Sequence, residues 1–161
     1  MSLVEFWLGI SFLASRTLLV PASLMLMAYL WYRHRSRDAL VVLIGFYGGT
    51  ALSYLLKRIF QIPRPSDSLI PIEGYSFPSG HALSSIIFYS LLIILFRKEI
   101  KNKISQTFFI SFNVLAFLLI GLSRIMLKVH YFSDVLGGYL IGALWLFMVY
   151  VVLEKINRDS N

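Results

Sequence analysis

Three short stretches of this sequence hold side chains suited to binding and attacking an anionic group: Lys57 to Pro65, Tyr75 to His81, and Ser123 to Asp134. In the first, Lys57 and Arg58 close a long apolar run, and Pro63 and Pro65 stop any helix soon after. Arg64 is thereby held on a stiff turn near Lys57. A guanidinium fork beside an ammonium suits phosphate oxygens, which it can bind two at a time. Taken alone, Lys57 and Arg58 equally suit cations snorkelling to headgroups, and Arg64 a solvated loop.

In the second stretch, Pro78-Ser79-Gly80-His81 opens an apolar helix. Amides at a helix start lack intrahelical partners and lie at the positive end of the dipole, so they attract anions. Gly80 lets a ligand approach the backbone, and Ser79 can cap the helix or donate to an oxygen. A capped helix with an incidental histidine fits the same letters. In the third stretch, Arg124 ends one helix, while His130 and Asp134 begin the next and share a face at a spacing of four. A carboxylate on one ring nitrogen fixes the tautomer and frees the other nitrogen to attack. The pair also suits a structural hydrogen bond within a bundle.

The elements that must position these side chains are membrane helices. Hydrophobic residues make up 58% of the 161 positions and charged ones only 14%, so a soluble surface cannot be assembled. Apolar runs cover residues 3–15, 17–32, 39–60, 81–96, 105–123 and 131–153. A span needs about 20 apolar residues, at a rise of ~1.5 Å each across ~30 Å of hydrocarbon. The expected fold is therefore all-α: a polytopic transmembrane bundle of five to six membrane segments forming a single domain over residues 1–161. Residues 3–15 reach only about 20 Å. They predict an amphipathic helix in the interface anchored by Trp7, with a sixth span as the alternative.

Two hydrophilic runs, Arg33 to Asp38 and Arg97 to Lys103, fall on one side of the membrane with the tail carrying Lys155 and Arg158. That side holds nine of the fifteen basic residues and is assigned to the cytoplasm. The net charge of +7 thus reflects topology rather than nucleic-acid binding. The sequence has no cysteine, which excludes disulfides and thiolate metal sites. The N-terminus lacks the basic region of a cleaved signal peptide. Alternation of spans brings all three chemical stretches to the opposite face. Three cations, two histidines and a carboxylate gathered there form a candidate phosphate-transfer site.

Those three stretches resemble the tripartite signature of the type 2 phosphatidic acid phosphatase superfamily. Lys57 to Arg64-Pro65, Pro78-Ser79-Gly80-His81, and Ser123-Arg124 to His130 to Asp134 match it in order and spacing. The resemblance implies a membrane lipid phosphatase of the histidine type. In it His130 would be the nucleophile, Asp134 its orienting partner, and His81 the acid and then base. Lys57, Arg64, Ser79, the Gly80 amide and Arg124 would hold the phosphate oxygens. No metal and no other cofactor is implied, because fixed cations take that role, and no obligatory protein partner is evident. The implied partners are the bilayer and a lipid phosphate, reached from the extracytoplasmic face of the cytoplasmic (inner) membrane. Candidate substrates are lipid A 1-phosphate, polyprenyl diphosphate, phosphatidylglycerol phosphate and phosphatidic acid. The short loop from Gln61 to Phe77 tilts the choice towards the first two. The alternative is a lipid-to-lipid phosphotransferase using the same site. Arg58 and Lys128, outside the signature, suit headgroup contacts, a second substrate phosphate, or solvated rim charges. Gly138 to Gly142 and Gly48-Gly49 have the small-residue pattern of close helix packing.

Overall fold

The computed structural model describes residues 2–159; the side chains at 154 and 156–159, Arg158 of the basic tail among them, lie outside the described residues. Helices α1 (Leu3–Phe12) and α2 (Arg16–Tyr32) are followed by α3 (Ser36–Val42), a π-helical segment (Leu43–Gly48) and α4 (Gly49–Phe60). Helices α5 (Gly80–Phe96), α6 (Lys103–Met126) and α7 (Phe132–Asp159) complete the chain, and among the described residues there is no strand. The segments Leu3–Tyr32, Ser36–Phe60, Lys103–Met126 and Phe132–Leu153 are long and apolar enough to cross a membrane, and Gly80–Phe96 is a shorter apolar helix.

Leu30, Val42, Leu83, Ile87, Leu91 and Ile120 are fully buried between the helices. Large apolar side chains also cover the outside: Ile104, Phe108, Leu144 and Phe147 are all more than 60% exposed. Water does not tolerate such a continuous apolar exterior, whereas lipid tails do.

Helix α5 is the central element, packed along both α6 and α7. Glycines set the approach of α7. A Cβ at Gly138 would come within 2.8 Å of the Ser79 carbonyl, and one at Gly142 within 2.6 Å of Ile86 Cγ2. The spacing Gly138 to Gly142 is therefore a packing device, as its pattern predicts. Gly48 and Gly49 serve the same end, facing the Trp145 indole. Trp145 Nε1 donates to the carbonyls of Ile44 (3.3 Å) and Gly45 (3.0 Å), oxygens within the π-helical turn. That turn interrupts the span expected over residues 39–60, and nothing in its composition announces it.

The N-terminal run divides at Leu13 to Ser15. Ser15 Oγ caps α2 by accepting from Leu18 N at 3.2 Å, so a new helix starts there. Helix α1 begins with a capping box between Ser2 and Glu5 and packs on α6. At the far end of the bundle, Arg35 ties the α2–α3 turn to α5, pairing with Asp38 and Glu99 and donating to the Leu95 carbonyl at 3.0 Å.

Candidate active site

The ends of α4 and α6, with the loops that follow them, and the starts of α5 and α7 meet at one end of the bundle. Helix α4 stops at Gln61, whose φ of 48° is left-handed. The chain then runs without helix to Ser79. Lys57, in the last turn of α4, donates from Nζ to the carbonyls of Tyr75 (2.7 Å) and Ser76 (2.9 Å). It thereby folds the loop back over its own helix. Arg64 is held in the same manner, Nε donating to the Gly74 carbonyl (3.0 Å) and Nη1 to the Val129 carbonyl (2.8 Å).

His130 sits at the centre and is 4% exposed. Its Nε2 lies 3.2 Å from Arg64 Nη1, and its Nδ1 is 3.5 Å from Asp134 Oδ2. Nε2 accepts from a guanidinium, which can only donate, so the ring proton resides on Nδ1 facing Asp134. Burial pushes the His130 pKa down to about 4; Asp134 opposes that, while Arg64, Lys57 and Arg124 add to it. The imidazole is therefore neutral at physiological pH, with its Nε2 lone pair directed towards the cations. His130 lies ahead of α7 rather than in it, which corrects the expectation of a shared helical face. Asp134 reaches back from the first turn, accepting the Tyr131 amide at 2.8 Å, so the pair meets across a helix start.

Ser76 is the residue that sequence reasoning missed. Fully buried, it donates from Oγ to Asp134 Oδ2 and lies 3.3 Å from His130 Nδ1, bridging the two. Its place within the stretch Tyr75 to His81 was the available signal. Arg124, 3% exposed, donates from Nη1 to Ser11 Oγ on α1, and its Nε has no partner among the described residues. Ser123 turns away, donating to the Ile120 carbonyl at 2.6 Å, and is structural. Ser79 does not cap α5: its amide donates to the Asp134 carbonyl at 2.9 Å, while its buried Oγ has no partner among the described residues. The cap expectation fails because the loop turns that hydroxyl inward. At Gly80 an added Cβ would meet only Ser53 Oγ, at 3.7 Å, so the backbone there borders open space.

A cavity of about 850 Å³ opens against this cluster. Lys57, Arg64, Gly80, His81, Arg124 and His130 line one part, and Leu19, Val20, Phe46 and Tyr47 continue it along α2 and the π-helical turn. Six of the eight site residues expected from sequence thus border one cavity. The other two adjoin it, Asp134 behind His130 and Ser79 beside Gly80. Arg58 donates to the Tyr54 hydroxyl (2.6 Å), and Lys128 pairs with Asp67 (2.6 Å), so neither is free at the rim. Among the described residues, no three of His, Asp and Glu gather as a metal site.

The profile of the PAP2 superfamily matches residues 38–158. Phosphatidylglycerophosphatase B of Bacillus subtilis is 31% identical over 157 residues, covering 96% of this chain and 77% of that protein. The crystal structure of a transmembrane PAP2 type phosphatidylglycerolphosphate phosphatase from Bacillus subtilis superposes with a TM-score of 0.85 at 30% identity, over 96% of this chain and 78% of that one. LpxE of Aquifex aeolicus superposes with a TM-score of 0.71 at 26% identity, over 92% and 85% of the two chains. A lipid A 1-phosphatase of Rhizobium johnstonii is 30% identical over 115 residues, 65% of this chain and 43% of that protein. An all-α bundle with an apolar exterior and this cluster at one end is a membrane lipid phosphatase. The chain belongs to the PAP2 superfamily.

Proposed function

We propose that this chain dephosphorylates a lipid headgroup through a phosphohistidine on His130, without a metal ion, at the extracytoplasmic face of the cytoplasmic membrane. One observation carries the reading: His130 keeps Nδ1 towards Asp134 while Nε2 faces the cavity beside Arg64, at 3.2 Å. Nε2 attacks phosphorus in line, a P–N bond forms, and the bond from phosphorus to the lipid oxygen breaks. That oxygen takes its electron pair and a proton from His81. Water, giving its proton to His81, then attacks the phosphohistidine and releases phosphate. Lys57, Arg64 and Arg124, with Ser79 Oγ and the Gly80 amide, hold the equatorial oxygens. Asp134 and Ser76 keep the ring oriented and stabilise its charge as phosphorus is transferred.

The charge distribution supports the sidedness, since among the described residues eight basic side chains lie at the end away from the site. Helix α1 lies in the outer interface in this reading, with Leu3, Phe6 and Phe12 exposed to lipid and Ser11 turned inward to Arg124. The similarity to phosphatidylglycerophosphatase B over nearly the whole chain favours phosphatidylglycerol phosphate among the candidate substrates. Phosphate release by the purified protein should be measured on lipid phosphates and diphosphates, with His130→Ala alongside. Release from one lipid class that the variant loses supports the reading. Release that survives in the variant, or that EDTA abolishes and a divalent ion restores, refutes it. Phosphorylated acceptor lipid with little free phosphate would turn the site into a transferase.

A further inference from the structure

The site end of the bundle carries six cations: Arg16, Lys57, Arg58, Arg64, Arg124 and Lys128. Three surround His130, and Tyr54 and Asp67 engage Arg58 and Lys128. Arg16 is left. It opens α2, its side chain is exposed, and it lines the same cavity as His81 and His130. Among the described residues it has neither an ion-pair nor a side-chain hydrogen-bond partner.

Arg16 also has a definite place relative to the two histidines. Three residues before it, the Leu13 carbonyl accepts from the Tyr89 hydroxyl at 3.2 Å, which ties the start of α2 to α5, the helix that opens with Gly80 and His81. Arg16 therefore lines the cavity from a helix start tethered to the one that carries His81. An in-line displacement by His130 puts the departing oxygen on the opposite side of phosphorus, towards His81. Beyond Arg16 the wall continues along α2 with Leu19 and Val20, which are apolar. One cavity thus joins the three site cations, His81 with Arg16, and an apolar wall from α2.

We propose that Arg16 binds a second phosphate on the substrate, the one that stays on the lipid after the terminal phosphate has been removed. The proposal rests on the phosphatase reading above and adds the chemical class of headgroup. In a diphosphate, the bridging oxygen leaves with the electron pair of the broken bond, and its charge spreads over the remaining phosphate beside Arg16. In a headgroup with two separated phosphates, Arg16 holds the diester. In both cases a guanidinium with free donors meets a group it can bind bidentately. A monoester whose leaving group is a neutral diacylglycerol offers Arg16 no such partner, so this residue sets a preference between the two classes.

The test compares kcat/KM on farnesyl diphosphate, phosphatidylglycerol phosphate and phosphatidic acid for wild type, Arg16→Ala and Arg16→Lys. The alanine variant should lose about tenfold more on at least one two-phosphate lipid than on phosphatidic acid, with partial recovery in the lysine variant. The lipid that suffers the larger loss gives the spacing that Arg16 reads. Each comparison is a ratio within one preparation, so a smaller folded fraction cancels. Equal losses on all three lipids, or no loss on any, overturn the proposal while leaving the phosphatase reading intact. No release from any lipid by the wild type would instead sink the phosphatase reading, and this one with it.

Discussion

The cations around His130 and the arginine clamp at the other end of the bundle are held by different partners. At the end away from the site, Arg35 is bound by two carboxylates, Asp38 and Glu99, and lies over the Phe96 ring. At the site end, Lys57 and Arg64 donate to backbone carbonyls, and Arg124 donates to a serine hydroxyl. Asp134, the one buried carboxylate there among the described residues, is engaged by Ser76, the Tyr131 amide and the His130 ring. Carboxylate partners neutralise a cation and make it a clamp. Carbonyl and hydroxyl partners fix its position and leave its charge available to a phosphate dianion. Both places hold arginine, and the acceptors distinguish a clamp from a group that can meet phosphate.

That contrast can be broken from either side. The largest effect is protonation of the nucleophile. Burial and the three unneutralised cations hold His130 near a pKa of about 4, below the ordinary imidazole value. The free ring is the attacking form, so activity should persist through pH 5–6 and be lost only as pH falls through about 4. Ring resonances of His130 followed by NMR against pH check this, and a transition near the ordinary value of about 6.5 would contradict it. Next, Arg64→Ala removes a donor aimed at the transferring group and should lower kcat by about 10²–10³-fold. Ser11→Asp would give Arg124 a carboxylate partner like those at the other end. Its expected cost is about 10-fold or more in kcat/KM, through lost charge at the phosphate. Wild-type activity in that variant would show that Arg124 is not a phosphate ligand. The smallest effect belongs to the clamp: Arg35→Ala should leave phosphate release at the wild-type rate and reduce stability by about 1–2 kcal/mol, read as a lower thermal midpoint.

Much of this arrangement can be read from sequence because the side chains of the candidate site sit at helix ends, where local composition marks both the residue and its place. Pro63 and Pro65 mark the end of α4, Pro78 precedes the start of α5, and alternating spans bring those ends together. Boundaries agree within a few residues, as with 17–32 against Arg16–Tyr32 and 105–123 against Lys103–Met126. What escaped depends on contacts between distant segments. Ser76 matters through its contacts with His130 and Asp134, 54 and 58 positions away. Ser11 matters through Arg124, 113 positions away. Arg16 separates the first two apolar runs in the sequence, and only the fold places it on a cavity wall with His81. The π-helical turn is held by Trp145, about a hundred residues away, and so has no local signature.

In the proposed mechanism the phosphoryl group passes through His130. The most direct measurement is a single turnover with lipid labelled in its terminal phosphate, quenched in alkali to preserve a P–N bond, followed by peptide mass spectrometry. Phosphate is expected on the peptide containing His130, and none on that peptide in His130→Ala. Label on another residue, or phosphate release in step with lipid cleavage and no protein-bound label at any time, would contradict it.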